Sequence, residues 1–428
     1  MMGAPGRSAR ARTDAGSAMA RTTRYPLFGL LLGAFAALVT LLAVDGCATP
    51  SRVPGSVAAS AGPMRAVWVT RWDYLTADDV RTVMRNCAVL GVTDVMWQVR
   101  GQGDAYYHST IEPWGQELFR AEADPQSMVS VGPGFDPLAL AVEEAHRRGL
   151  RIHAWMNAMP LWKGKAPPLA SNHPWRAHED WRLHDAQGNA QPLEDGYVIA
   201  NPALPGVRRH IARVAGDLAQ RYDIDGVHLD YIRYVSDTMK GDETYMLDPR
   251  TLALFRDDTG RTGVQTDDDR AAHRAWIRDQ ITDVVRRVRQ TVKGTRADVA
   301  VTAAVWRRPD VARDQYLQDA AAWVRSGLID AAFPMIYTTD NAQLESDLRA
   351  WDEATGHGRV TPGLGAYKHE RGETIAAQIR ALPDPSRVAL FAYSTFFESR
   401  APGQDQSASA NARRAQLREV VARTLSHP

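Results

Sequence analysis

Eight short apolar runs, each leading into a stretch of helical periodicity, constrain this chain more than anything else in it. The strand-like runs fall at 65–70, 94–100, 151–157, 224–232, 299–306, 330–337, 360–367 and 388–395. Helical patterns lie between them at 77–90, 137–148, 205–222, 270–292, 313–326, 341–355 and 372–382, with a last one near 408–425. Strand followed by helix, eight times over, predicts an α/β fold: parallel strands closed into a (β/α)8 TIM barrel. An open doubly wound sheet would want a glycine-rich phosphate turn after its first strand, and Thr70-Arg71-Trp72-Asp73-Tyr74 is not one.

Connection lengths orient the barrel. Helix-to-strand connections are short, with Gly91, Gly149 and Gly327 each placed just after a helix, where a left-handed residue ends it. Strand-to-helix loops are long after strands two, three and four, at 101–136, 158–204 and 233–269. Loops of that length in a compact domain tend to be functional. All three crown the C-terminal face, where barrels of this kind keep their active sites.

Strand four, in 225–234, has two different faces. Val227, Leu229 and Ile232 are apolar, while Gly226, His228 and Asp230 alternate with them. Successive side chains on a strand point to opposite sides, so the histidine and the carboxylate project together into the barrel. Asp230 stands near the C-terminal end of the run. By the same alternation Gln98 and Arg100 share a face, as do His153, Trp155 and Asn157. The long loops carry Tyr106, Tyr107, Trp114, Trp162, Trp175 and Trp181, and Trp72, Trp155 and Trp306 lie near strand ends. Any one of these rings could simply glue a loop to the barrel. As a set they predict a cleft in which aromatic faces stack on the C–H faces of sugar rings.

The N-terminal segment reads as an export signal. Arg7, Arg10, Arg12, Arg21 and Arg24 precede an uncharged apolar run at 27–44. Val44-Asp45-Gly46-Cys47 resembles a bacterial lipobox, which makes Cys47 the expected lipidation site. An uncleaved membrane anchor is the alternative. Residues 1–47 are therefore read as signal, 48–63 as a flexible tether of Ala, Ser, Pro, Gly and Val, and 64–428 as the barrel domain. The chain is expected in the bacterial cell envelope, facing the periplasm or the exterior. Past Cys47 the only cysteine is Cys87, and lysines plus arginines (51) nearly balance aspartates plus glutamates (50). Nothing in that balance suggests a nucleic-acid partner.

Several motifs together carry a family resemblance. They are Arg65-Ala66-Val67-Trp68-Val69-Thr70, the run from Gln98-Val99-Arg100-Gly101-Gln102-Gly103-Asp104 to Tyr107, Gly134-Phe135-Asp136-Pro137-Leu138, the stretch 143–150, His153-Ala154-Trp155-Met156-Asn157 and the stretch 225–234. In this order they resemble the glycosyl-hydrolase-like family 10, from residue 65 to at least 340. The resemblance implies a TIM-barrel glycosidase related to the amylase-type barrels and common among envelope lipoproteins. It implies a polysaccharide substrate, with peptidoglycan strands or an amino-sugar exopolysaccharide favoured.

Glycoside hydrolysis ordinarily uses two carboxyl groups flanking the bond. Asp230 is the first expected here. Amylase-type barrels place a glutamate acid after strand five, where this chain has Ala304-Val305-Trp306-Arg307-Arg308. Asp340 is favoured as the second group, with Glu370, Glu398, Asp73 and Asp104 also eligible. An N-acetyl group on the substrate could instead act as the internal nucleophile. Gln98, Arg100, Asp104, Trp155, Asn157, His228 and Tyr337 are expected to line the sugar subsites. His228 and Asp230 also have the spacing of a metal-ligand pair, but strand one offers no second histidine pair, so neither metal nor cofactor is expected. The competing function is a glycan-binding lipoprotein on a barrel that has lost catalysis.

Overall fold

The computed structural model describes residues 62–119, 131–234, 245–356, 360–401 and 403–427. The expected signal, Cys47 and nearly all of the tether lie outside the described residues. In chain order the elements are β1 (Met64–Val69), α1 (Ala77–Leu90), β2 (Asp94–Arg100), α2 (Pro137–His146) and β3 (Arg151–Asn157). Next come β4 (Pro160–Lys163), a single turn α3 (Pro174–Ala177), β5 (Tyr197–Ile199), α4 (Pro205–Arg221) and β6 (Gly226–Asp230). Then follow α5 (Pro249–Thr259), α6 (Asp267–Thr295), β7 (Ala300–Val305), α7 (Pro309–Asp314), α8 (Ala320–Arg325) and β8 (Ala331–Ile336). The chain finishes with α9 (Asn341–Thr355), β9 (Gly363–Gly365), α10 (Gly372–Arg380), β10 (Arg387–Phe391) and α11 (Ala408–Ser426).

Eight parallel strands close in the order β1-β10-β9-β8-β7-β6-β3-β2, which is the (β/α)8 TIM barrel read from the sequence. All eight expected strands are present. The antiparallel pair β4–β5 stands outside the barrel, built from the long loop after β3. Helix ends follow local chemistry. Thr76 and Asp79 form a reciprocal capping box at the start of α1, and Thr266 and Asp269 repeat it for α6. Gly91, Gly149 and Gly327 all take positive φ, at 82°, 72° and 70°.

Two expectations are corrected in detail. The helix expected at 313–326 is split into α7 and α8, with Leu317 at φ 52° between them. The break drops Gln318, fully buried, onto the strand ends. Its Nε2 donates to Ile232 O (3.2 Å) and its Oε1 accepts from Trp306 N (2.8 Å), groups that have no strand partner there. The stretch 233–269 also contains a helix that periodicity did not reveal, α5, started by the Asp248 cap and Pro249 and ended by Gly260.

The inside of the barrel is packed in layers. Near the base, Asp94 accepts two bonds from Arg151 (2.7 Å each) and lies 3.0 Å from His153 Nε2. Gly226 leaves room for that histidine, because a Cβ there would sit 2.2 Å from His153 Nδ1. One layer up, Trp68, Trp155 and Phe333 fill the centre around His228. Trp68 Nε1 can only donate, so His228 Nε2 accepts it (3.1 Å). His228 Nδ1 therefore carries the proton shared with Thr302 Oγ1 at 2.8 Å. Burial holds this imidazole neutral.

Above the strands, Arg100 anchors the loops. Its guanidinium pairs with Glu112 through Nε and Nη2 (2.8 Å each), and Nη1 donates to the carbonyls of Asn157, Ala158 (3.2 Å) and Pro160 (3.4 Å). Glu112 also receives His210 of α4 at 2.8 Å. One buried cluster thus ties the loop after β2 to the turn after β3 and to α4. Although burial opposes the charged form, Arg100 and His210 hold the Glu112 carboxyl below the usual range. Its stabilisation is present above the carboxylate range and is lost as pH falls through the lowered value. Glu112→Gln would strand the Arg100 charge, and urea unfolding at neutral pH should show a loss of about 3 kcal/mol, with the gap to the parent narrowing on acidification.

Candidate active site

Asp230 ends β6 and is 7% exposed at the mouth of the barrel. Register places it beside Asn157, the last residue of β3. The residue that follows it, Tyr231, takes φ 48°, a backbone conformation that non-glycine residues adopt at a cost and that clusters at functional sites. That turn brings the Tyr231 N–H to Asp230 Oδ1 at 2.6 Å, and Arg233 Nη1 approaches the same oxygen at 3.3 Å. Burial raises the Asp230 pKa, while Arg233, the Tyr231 N–H and the nearby Trp155 indole favour its charged form. The Trp155 N–H is close enough to exert that pull without reaching hydrogen-bond geometry. The arrangement keeps one carboxylate dry, aimed and electrostatically balanced.

Aromatic rings and amides surround it. The Arg233 guanidinium lies 4.3 Å from the Tyr231 ring centroid and 5.8 Å from Trp306, which itself stacks on Tyr316. Tyr197 of β5 meets Tyr231 edge-on at 5.1 Å. Tyr337, at the end of β8, stacks on Phe391 at 5.5 Å, and its hydroxyl is held protonated first by burial and then by the charge of Asp230. On the β2 side, Gln98 Oε1 accepts from the Arg71 N–H at 3.0 Å, and Asn157 Nδ2 donates to Gly101 O at 3.0 Å. Asn157 Oδ1 is buried without a partner.

Asp104 belongs to this rim. The tight turn after β2 sends the Gly101 and Gln102 N–H groups to its Oδ1, at 3.2 and 2.9 Å, and leaves Oδ2 buried and unpartnered. Burial, and next to it the charge of Glu117, pushes its carboxyl up to about 6. A carboxyl group tuned to that range can donate a proton near neutral pH, the acid's part in chemistry on a sugar.

Other expected residues are placed elsewhere. His228 lies wholly inside the barrel with both ring nitrogens occupied, so it packs the interior and lines no subsite. Arg100 spends its guanidinium on Glu112 and three carbonyls and has the same structural standing. Asp340 is an exposed helix cap whose Oδ1 accepts from Ala342 N (2.9 Å) and Gln343 N (3.3 Å) of α9. Glu370 and Glu398 are exposed, and Asp73, raised by burial to about 6, is tied to Thr70 at 2.7 Å. Most of the loop aromatics turn out to hold loops. Tyr106 and Tyr107 are fully buried, Trp162 donates to Ala166 O (2.7 Å), Trp175 carries Arg182 at 3.8 Å, and Trp181 stacks on His178 at 3.8 Å. Tyr231 and Arg71 were not anticipated, since neither a positive φ nor a side chain that folds back over its own loop leaves a sequence pattern.

Comparison with known proteins agrees with the barrel fold. The chain is 25% identical over 333 residues to the glycosyl hydrolase DigH of Escherichia coli O6:H1, spanning 67% of this chain and 68% of that one. It is 28% identical over 265 residues to the glycosyl hydrolase YngK of Bacillus subtilis, covering 58% of this chain and 46% of that relative. Among solved structures, the PgaB (BpsB) glycoside hydrolase domain from Bordetella bronchiseptica superposes with a TM-score of 0.59 at 14% identity, over 83% of this chain and 99% of that domain. An alpha-L-fucosidase from Paenibacillus thiaminolyticus superposes with a TM-score of 0.54 at 12% identity, over 84% of this chain and 49% of that one. Those two likenesses speak to the fold, which is of the glycoside hydrolase type. The family model described as Glycosyl hydrolase-like 10 matches residues 63–360, more than half of the sequence, and the chain belongs to that family.

Proposed function

We propose that the protein is a glycoside hydrolase acting on a polysaccharide of the cell envelope or the extracellular matrix. The observation that carries this reading is Asp230, a buried carboxylate aimed by a left-handed residue into a mouth lined by Tyr231, Trp306 and Tyr337. Burial raises the Asp230 pKa, and the ion pair to Arg233 and the Tyr231 N–H oppose that rise in favour of the charged form, which suits a group that attacks the anomeric carbon or stabilises positive charge there. Asp104, in the turn after β2 and with a pKa of about 6, is our choice of proton donor over Asp340, an exposed helix cap. If the substrate is an amino sugar, its acetamido oxygen can attack instead, with Asp230 orienting it. Peptidoglycan strands and amino-sugar exopolysaccharides are the favoured polymers. The export signal and lipobox read in residues 1–47 support this, because they would tether the enzyme where such polymers are found.

A second reading draws on one observation. The strand β7 connection, where amylase-type barrels carry a glutamate, begins with Trp306, and the following Arg307 and Arg308 lie within 3.6 Å of Asp347 on α9. A barrel that binds glycans without cleaving them would need no more than that. Product analysis on purified peptidoglycan strands and a panel of amino-sugar and neutral polysaccharides decides between the two. Asp230→Asn is expected to reduce turnover by about a thousandfold while leaving binding intact; retained turnover in that variant would remove Asp230 from the mechanism.

The pH profile tests the assignment of the two carboxyl groups. A proton donor must be protonated, so kcat/KM should fall as pH rises through about 6, the value at which burial and Glu117 set Asp104. Asp104→Asn should lose that limb and roughly a hundredfold in rate on natural glycans, and aryl glycosides with good leaving groups should recover much of the loss. Arg233→Met removes a group that favours charged Asp230. Its effect should be an upward move of the acidic limb, with the alkaline limb in place.

A further inference from the structure

On the rim of the mouth, beyond the ring of Tyr337, lies a groove of about 680 Å³ that the reaction described above does not use. It is bounded by the connection after β9, the connection after β10 and the first turns of α11, with Tyr367, Glu370, Ser394, Gln404 and Arg413 among its walls. That volume is in the range of specific small-molecule sites.

Tyr367 is the unusual residue there. It is 47% exposed, and it is the one aromatic among the large hydrophobic side chains that the described residues leave open to solvent. A scattered exposed ring needs no explanation, but this one is fixed from three directions. Its edge meets Tyr337 at 6.0 Å and Phe391 at 6.2 Å, both at near right angles. Gly365 makes the first packing feasible, because a Cβ there would lie 2.9 Å from Tyr337 Cβ and 3.2 Å from Tyr367 Cε1. The Tyr367 carbonyl is held by Arg413 Nη2 at 3.1 Å, and the same guanidinium binds the His369 carbonyl and lies 3.2 Å from Glu370. Across the groove Gln404 pins the opposite wall through the carbonyls of Ser394 (2.7 Å) and Phe397 (3.3 Å). The result is a preorganised aromatic face beside hydroxyl, amide and carboxylate groups, one ring contact away from Tyr337 and hence from Asp230.

We propose that this groove is a distal sugar subsite. It would receive a ring of the polysaccharide chain beyond the residues being cleaved, with the Tyr367 face stacking on the C–H face of that sugar. The inference rests on the glycosidase reading for its substrate class but not for its existence, since stacking needs no turnover. Its chemistry suits a pyranose rich in hydroxyl or acetamido groups. One extended chain would span both the mouth and this groove.

The test uses the mature protein carrying Asp230→Asn, so that bound glycans persist. Affinity is measured by calorimetry for chitin oligosaccharides and peptidoglycan-derived glycan fragments of increasing length. Affinity should rise at the length that first reaches the groove. Adding Tyr367→Ala should abolish that step, about tenfold, while short fragments bind as before. Tyr367→Phe, which keeps the ring, should restore the step. Steady-state kinetics in the parent background should show the matching rise in KM for long substrates. Equal losses at every length, or no length dependence in any series, would overturn the subsite. Length-dependent binding without cleavage by the parent would sink the glycosidase reading and keep the subsite; cleavage without a Tyr367 effect would do the reverse.

Discussion

The mouth of this barrel depends on one buried guanidinium. Arg100 sits where β2 becomes a loop, and its donors close onto Glu112 and onto the carbonyls of the turn after β3. Without that clamp the long connections after β2 and β3 would have no common fixed point. A buried ion pair is weak evidence for net stability, because desolvating the charges opposes their attraction. Its worth here is in geometry. His210 adds a third partner from α4, so that the loops and the helical shell share one register.

Below and above that clamp the barrel separates two kinds of polar chemistry. At the base, Arg151, Asp94 and His153 form a bonded group at the end of the strands remote from the mouth. In the middle, a neutral histidine is bonded on both sides and enclosed by tryptophan and phenylalanine. In the uppermost layer Asn157 Oδ1 and Asp104 Oδ2 are buried and unmatched. Unmet hydrogen-bonding capacity is costly in a protein interior. At the mouth, next to Tyr231 in its left-handed conformation, those two atoms are groups that an incoming ligand could satisfy.

The fold was almost fully legible in the sequence because eight alternations of period and eight short returns leave few other topologies. Elements escaped only where tertiary need overrode the pattern. Gln318 had to reach two strand ends, so one helix became two; α5 announced itself through Asp248-Pro249 but was hidden by the length of its loop. The site was half legible. Asp230, Asn157, Gln98 and Tyr337 come to the mouth because strand alternation and strand ends are readable. His228 was misplaced because alternation tells which way a side chain points but not how deep its strand position lies, and Arg100 because a register shift between Gln98 and Arg100 breaks the alternation. Asp340 looked like a pocket acid and is a helix cap, two roles that share the same residue type at the same loop position. The loop aromatics were overread because burial by a neighbouring loop has no sequence period.

The distribution of long connections has one more consequence. They follow β2, β3 and β6, three strands adjacent in the barrel, so the loop mass rises over one sector and the remaining strand ends are crossed by shorter turns. A linear polymer laid across such a mouth would meet tall loops along one flank and lower connections along the other. Substituents on the sheltered flank, such as an acyl group or a branch, must fit a shape the loops dictate, whereas those on the open flank meet no comparable barrier. Tolerance for decorated chains is then a handed property. It can drift through insertions in a single sector while the strands, their packing and the carboxylate they aim remain as they are.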